Sequence, residues 1–390
     1  MADREQTPAG RDAFNSADSR RRQRHISDSL AASGREAIKG RGAITNPHNR
    51  YQPLRHEEFD DGWWQEASVQ RPQTLTLPER SKTIISTNSS PDIPFDQSIN
   101  PYRGCEHGCI YCYARPSHAY WDMSPGIDFE TRIITRPNAA ALLGEHLGKP
   151  SYVCKSINIG ANTDPYQPLE ARLQTTRQLL EVLQAHRHPF SVITKSALIL
   201  RDLDILAFMA ERNLCSVAVS ITTLDNDLKR RLEPRTASPA ARLRVVETLA
   251  AADIPVAVMA APVIPAINDH ELEKIIVAAA DAGASSVNYI LLRLPLEISQ
   301  LFREWLALHF PDRADKVMSL VQSARGGQDY QAGFGKRMTG EGVFAQLLAS
   351  RFTIALRRYG LTQASNHGNR TELDTSQFRR CPQQGDLFMT

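Results

Sequence analysis

The chain has 390 residues, 42% of them hydrophobic, and a formal net charge of +3. That length suits one large α/β unit with tails or two to three smaller domains, and the charge is too small for the totals alone to argue for a nucleic-acid partner. No apolar run approaches the roughly 18 to 20 residues a membrane span needs, and the polar start has no signal-peptide core, which points to a soluble, cytoplasmic protein.

In chain order, Met1 to Gly42 is rich in Arg, Ser, Ala, Gly and Asp and poor in large apolar residues. Such a stretch buries too little surface to offset its ordering entropy, so disorder is expected. Its arginines Arg20, Arg21, Arg22 and Arg24 could touch phosphates or form a solvated tail. Arg50 to Trp64 mixes aromatics with acids, and Thr83 to Thr87 reads as a short strand. The expected organisation is a basic arm and lead-in over 1–92, a core over 93–310 and an extension over 311–390.

Asn100 to Pro116 (Asn-Pro-Tyr-Arg-Gly-Cys-Glu-His-Gly-Cys-Ile-Tyr-Cys-Tyr-Ala-Arg-Pro) places Cys105, Cys109 and Cys112 on one short stretch, half of the chain's 6 cysteines. The others, Cys154, Cys215 and Cys381, are scattered, unlike a disulfide framework. Three thiolates on a loop suit a soft metal centre. A structural zinc site calls for a second Cys-x-x-Cys pair, which is absent. A four-iron cluster takes one thiolate per iron, so three cysteines leave one iron open. The spacing also describes one face of a helix with three buried thiols, but Gly104 and Gly108 disfavour a helix interior and let a loop wrap closely round a ligand. His107 reads as a ligand or as a solvated loop residue.

From Phe95 the pattern is strand, loop, helix, repeated. Strands are expected at Gln97 to Tyr102, Val153 to Ala161, Phe190 to Thr194, Leu214 to Thr222, Val256 to Val263 and Val287 to Leu292. Helices are expected at Asn138 to Leu147, Glu170 to His186, Leu200 to Arg212, Pro239 to Ala252, from Asn268 to Ala282, and Glu297 to His309. Asn268 with Glu271 reads as a capping box. Six short apolar strands, each followed by a helical period, describe a parallel sheet with right-handed crossovers, whose sites lie at the C-terminal strand ends. Beyond residue 311 come a glycine-rich loop, Arg325 to Gly340, which either covers the barrel mouth or lies on the surface, a helix from Glu341 to Tyr359, and a polar tail ending in Gly385-Asp-Leu-Phe.

The Cys-x-x-x-Cys-x-x-Cys spacing, with Tyr111 just before the last cysteine, resembles the signature of the radical S-adenosylmethionine (radical SAM) enzymes. The resemblance implies an α/β fold, a partial (β/α)6 barrel, with a 4Fe-4S cluster on Cys105, Cys109 and Cys112. It also implies S-adenosyl-L-methionine (SAM) chelated to the open iron and an electron donor such as a flavodoxin or ferredoxin. At the second strand's end, where the family meets the SAM amino group through a Gly-Gly-Glu-like motif absent here, stand Gly160, Asn162, Thr163 and Asp164. Lys195, after the third strand, suits the SAM carboxylate or a substrate phosphate. Ser220 and Thr222, at the fourth, suit the ribose. Glu233 and Arg235 can reach the site, and the edge from Ala261 to Asp269 can lie against adenine or in the core.

Together with Thr163-Asp-Pro-Tyr-Gln-Pro-Leu-Glu, Thr194-Lys-Ser, Arg201-Asp-Leu-Asp and Leu232-Glu-Pro-Arg, the cysteine motif resembles bacterial proteins related to spore photoproduct lyase, often labelled DNA repair photolyases. Those lyases return a hydrogen atom from a cysteine near the end of the second strand, where this chain has Ala161 and Asn162. Three functions remain in view: a radical SAM enzyme of unassigned substrate, a DNA lyase acting on a flipped-out thymine lesion, and a non-catalytic metal-stabilised nucleic-acid-binding protein.

Overall fold

The computed structural model describes residues 21–23, 25–26, 36–51, 72–363 and 372–381. Arg20 and Arg24, the stretch from 52 to Trp64 and the closing Gly385-Asp-Leu-Phe lie outside the described residues, as does most of the tail expected to be disordered. Its strands are β1 (Leu75–Pro78), β2 (Ile85–Thr87), β3 (Gln97–Ile99), β4 (Tyr102–Arg103), β5 (Arg132–Thr135), β6 (Ile157–Ile159), β7 (Phe190–Thr194), β8 (Cys215–Ser220), β9 (Val256–Val263), β10 (Ser286–Leu291) and β11 (Thr362–Gln363). The main sheet runs β2-β3-β6-β7-β8-β9-β10-β11. Every pair in it is parallel except β2 with β3. β3 and β6 to β10 are the six strands of a partial (β/α)6 barrel. The sheet has two ends and therefore stays open between them.

Alternation decides what each strand offers to its two sides. Ile99, Ile157, Ile159, Phe190, Val192, Val217, Val219, Val256 and Val258 pack with Leu143, Leu179, Leu206, Leu249 and Ile275 of the surrounding helices in one apolar core. The first intervening positions of β3, β6, β7 and β8 are small and polar. Ser98, Asn158, Ser191 and Ser216 stand in register across four strands, and the Asn158 amide nitrogen lies 3.4 Å from Ser191 Oγ. The barrel thus keeps most of its apolar bulk outside, while farther along the strands Ile193, Met259 and Ile290 alternate onto the inner face.

β7 and β9 match the sequence reading residue for residue; several other elements do not. The first strand breaks into β3 and β4 at Pro101, which has no N–H for a ladder, while Asn100 Oδ1 accepts from Asn162 N at 2.8 Å. The second strand shortens to three residues because Gly160, with φ +95°, turns the chain where an added Cβ would meet Ile193 O at 2.8 Å. The long helix from Glu170 divides at Gln174, whose φ is +53°; the Glu170 carboxylate accepts from Thr176 N at 3.1 Å and Arg177 N at 3.3 Å, starting the second piece. The capping box is not formed. Asn268 instead accepts from Ile264 N and donates to Thr222 O and Pro262 O, while Glu271 accepts from Thr223 Oγ1 and Leu224 N. These two side chains tie the end of β8 to the end of β9.

Two further pieces frame the site. β4 and β5 pair antiparallel, with β1 beside β5, so the cysteine loop is carried on an excursion between two strands of a small separate sheet. At the other end, Arg325 donates to the carbonyls of Leu291 and Leu292 after β10 and to those of Lys336 and Arg337. Arg337 in turn pairs with Asp92, just ahead of β3. The glycine-rich segment therefore reaches from the last barrel strand to the approach of the first. Among the described residues no helix is long and apolar enough to cross a membrane.

Candidate metal and cofactor site

The cysteine loop is held from behind by buried charge. Arg115 donates to Cys109 O at 2.9 Å, to Pro125 O and Gly126 O, and to the Glu130 carboxylate. Both Arg115 and Glu130 are fully buried. Glu130 also accepts from the backbone N–H groups of Gly42 and Ala43, at 3.0 and 2.8 Å. A Cβ on Gly42 would stand 1.9 Å from Gly108 O, so only glycine fits where this segment crosses the loop. Residues 41–43, at the boundary of the expected disordered tail, are thus part of the loop's support. Gln167 clamps the loop from the barrel side, accepting from Glu106 N and donating to Gly104 O.

All six cysteines are free, and the three of the loop are buried or partly so. Burial pushes the Cys105 thiol well above its ordinary value, with the charges of Asp164, Cys109 and Cys112 adding to it. Burial and the Glu233 charge push Cys109 up to about 12, against the pull of Lys195. Burial raises Cys112 as well, while Arg115 and Lys195 lower it. Three buried thiols that resist becoming thiolates side by side suit a centre that supplies compensating positive charge. Among the described residues no three His, Cys, Asp or Glu side chains gather closely enough for a single ion. The all-sulfur donor set, the tight glycine turns and the missing fourth cysteine fit an iron–sulfur cluster with one open iron.

The other sequence candidates converge on this loop but divide by what their side chains do. Tyr111 donates to Glu233 and lies 3.1 Å from Thr222 Oγ1. Thr222 also donates to Glu233 Oε1 and Ala261 O, and Glu233 pairs with Arg242, whose guanidinium reaches Ser220 O at 2.9 Å. Burial opposes ionisation of Glu233, but Arg242, Lys195 and the Tyr111 hydroxyl hold it at about 2. Thr163 donates to Tyr102 O. Asp164 accepts from Thr194 Oγ1 and Lys195 N at 2.7 Å and from Tyr166 N at 2.9 Å. Its carboxyl sits at about 2, because the His107 charge and these bonds outweigh burial. His107 is not solvated. It is 2% exposed, with Nδ1 3.3 Å from Asp164 Oδ2, turned inward by Gly108 (φ +67°) and anchored where Arg235 N donates to its carbonyl.

Gly160, Asn162, Lys195 and Ser220 are less committed. Asn162 is exposed and uses only its backbone N–H. The Lys195 ammonium lies 6.0 Å from the Tyr111 ring centroid, and among the described residues no carboxylate pairs with it. The edge after β9 belongs to the core: Ile264 and Ile267 pack with Leu228, Leu232 and Trp305. Arg235 pairs with Glu106 at 3.2 Å. Sequence reasoning missed Glu130, Arg242, Gln167 and Gly42. Of these, Gln167 stands in the Thr163-Asp-Pro-Tyr-Gln-Pro-Leu-Glu motif without a role of its own having been read, Gly42 closes the stretch expected to be disordered, and Glu130 and Arg242 carried no local signal. Cys215 faces the helices in the outer core, Cys154 packs against that core from ahead of β6, and Cys381 bonds Ala185 O near the chain's end.

The family model of the radical SAM superfamily matches residues 99–279. An uncharacterized protein of Mycobacterium bovis is 38% identical over 232 residues, covering 59% of this chain and 68% of the relative. One of Methanocaldococcus jannaschii is 27% identical over 214 residues, covering 55% and 76%. In fold the chain is similar to a spore photoproduct lyase variant, with a TM-score of 0.55 at 15% identity over 86% of this chain and 91% of that one. Another variant of that lyase, solved with bound AdoMet and dinucleoside spore photoproduct, gives a TM-score of 0.55 at 14% identity over the same shares. Superfamily members use a 4Fe-4S cluster and SAM. On its cysteine loop, its barrel and these matches, the chain belongs to the radical SAM superfamily.

Proposed function

We propose that this radical SAM enzyme cleaves SAM reductively and takes a hydrogen atom from a nucleic-acid substrate. The observation that carries the first half is the meeting of three buried loop thiols with the strand ends of β6, β7 and β8 beside the unpaired ammonium of Lys195. Cys105, Cys109 and Cys112 would hold the cluster. When bound and reduced by a flavodoxin- or ferredoxin-like donor, the cluster supplies the electron that splits SAM into methionine and a 5′-deoxyadenosyl radical. Lys195 would neutralise the SAM carboxylate, the turn at Gly160 and the exposed Asn162 would face its amino group, and Ser220 would face the ribose. Thr163, Asp164, Tyr111 and Thr222 would act one layer back, fixing these groups through Tyr102 O, Lys195 N and Glu233. The core over 93–310 would carry this chemistry, with 1–92 and 311–390 serving loop support and substrate.

A photoproduct-lyase-like reaction on DNA is the narrower reading, favoured by the shared fold. Fold alone does not assign a substrate, and among the described residues no cysteine beyond the cluster loop stands on the barrel's inner face. Anaerobically reconstituted protein with dithionite and SAM is expected to release methionine and 5′-deoxyadenosine. Intact SAM, with no change in the cluster's electron paramagnetic resonance when SAM is added, would overturn the enzyme reading and leave the metal-stabilised binding protein.

A further inference from the structure

Buried arginines of the barrel and its flanks have carboxylates: Arg115 has Glu130, Arg242 has Glu233 and Arg303 has Asp329, and the less buried Arg337 has Asp92. Two arginines packed at the end of β10 have none among the described residues. Arg325 spends its donors on four carbonyls. Arg293, two residues beyond β10, has its guanidinium carbon 5.1 Å from the Tyr113 ring centroid and 5.9 Å from that of Tyr330. Among the described residues its terminal nitrogens have only weak neutral acceptors, Tyr330 Oη at 3.4 Å and Met338 Sδ at 3.5 Å, and its buried Nε has none. The two guanidiniums lie close enough that burial and the Arg293 charge together push Arg325 down to about 10. Like charges set side by side without an acid cost folding free energy that an incoming anion would recover.

The surroundings say what kind of anion. Tyr113 directly follows Cys112 and donates to Ala161 O at the end of β6, so Arg293 links the cluster loop to the far edge of the barrel. Tyr330 and Met338 come from the glycine-rich segment, which also presents Phe334, 60% exposed, under the Arg337 guanidinium. Cations interleaved with aromatic faces are the means by which proteins grip single-stranded nucleic acid, through phosphate and base at once. We propose that Arg293 binds a phosphodiester of the substrate at the barrel mouth, with the segment from Arg325 to Gly340 forming that side of the substrate path. This rests on the nucleic-acid half of the proposed function.

The test is fluorescence titration of an eight-nucleotide thymidylate strand, and of its neutral methylphosphonate counterpart, with cluster-loaded protein at several salt concentrations. Wild-type protein is expected to prefer the charged strand, and R293Q to bind it about tenfold more weakly, with a salt slope lower by about one unit. R293K should recover part of the affinity, and iron content with thermal unfolding shows that each variant is folded. Equal binding by wild type and R293Q, or no strand binding by wild-type protein that still cleaves SAM, overturns the inference while sparing the enzyme reading. A matching loss of SAM affinity in R293Q would assign the anion to the SAM carboxylate, and also overturns it. Failure of wild-type protein to cleave SAM is a separate result that sinks the proposed reaction itself.

Discussion

The cysteine loop and the glycine-rich segment both flank the barrel mouth, yet the loop is locked along its length and the segment only near its ends. The loop is locked by a fully buried ion pair, by backbone N–H groups brought from residues 42 and 43, and by glycines with no room for a Cβ. The segment is held at its start by Arg325 on carbonyls and by the pair of Asp329 with buried Arg303, farther along by the pair of Arg337 with Asp92, and it leaves Phe334 open. A loop proposed to present three sulfurs to a rigid cluster needs pre-set geometry. A segment that meets a large substrate needs reachable cations and aromatic faces. The predictions below either collapse this distinction or sharpen it.

The largest effect is all or none. Changing Cys105, Cys109 or Cys112 to Ala should abolish cluster uptake, reducing iron from about four per chain to background and eliminating SAM cleavage. Cys215→Ala, in the outer core, should keep full iron and cost about 1 kcal/mol of stability. Iron analysis after anaerobic reconstitution separates the two sets, and zinc without iron in the wild type would defeat the cluster assignment.

Next comes the ion pair behind the loop. Glu130→Ala leaves the Arg115 guanidinium buried with no counter-charge and frees two N–H groups, so a loss of about 3–5 kcal/mol is expected in urea unfolding. Glu130→Gln should cost less because it still accepts from Gly42 and Ala43. A loss below 1 kcal/mol for the alanine variant would mean that the loop is not locked as described.

The pH dependence follows from Glu233. Its folded-state pKa of about 2 lies below the ordinary 4.5, so its stabilisation is complete above about 4.5 and is lost as pH falls from there toward 2. At roughly 1.4 kcal/mol per unit, that is about 3 kcal/mol in cluster-free protein. Glu233→Gln should flatten this acid limb of the stability curve, and an unchanged limb would place the acid sensitivity elsewhere.

These effects also mark how far the sequence could be read. The family was legible because the spacing of Cys105, Cys109 and Cys112 is local, and β7 and β9 because their apolar runs are bounded by turns. Glu130 was not: its partners lie 15 to 88 residues away, and no periodicity ties a carboxylate to such distant groups. Arg242 was hidden in the same way, as one charge on an ordinary helix. Asn268 and Glu271 had the spacing of a capping box, but tertiary acceptors and donors from β8 and β9 competed successfully for the same side chains. For Thr163 and Asp164 the location was legible and the role was not, since whether a polar strand end faces a ligand or braces a neighbouring loop depends on strands still distant in sequence.

The smallest predicted effect tests the other half of the comparison. Asp92→Ala releases Arg337 from its partner, but that pair is partly solvated, and Arg325 still holds both ends of the segment through four carbonyl bonds. The expected loss of global stability is therefore at most about 1 kcal/mol. Local opening should rise much more than global unfolding, because residues 330–340, none of them buried, can detach while Asp329 stays anchored on Arg303. Limited trypsin digestion should then cut after Lys336 or Arg337 severalfold faster in the variant, with cleavage elsewhere unchanged. The reversed pair, Asp92→Arg with Arg337→Asp, should restore most of the protection, since the attraction depends on opposite sign rather than on which side carries it. A global loss comparable to that of Glu130→Ala would instead make the segment part of the core, and the contrast between a locked loop and an accessible segment would fail.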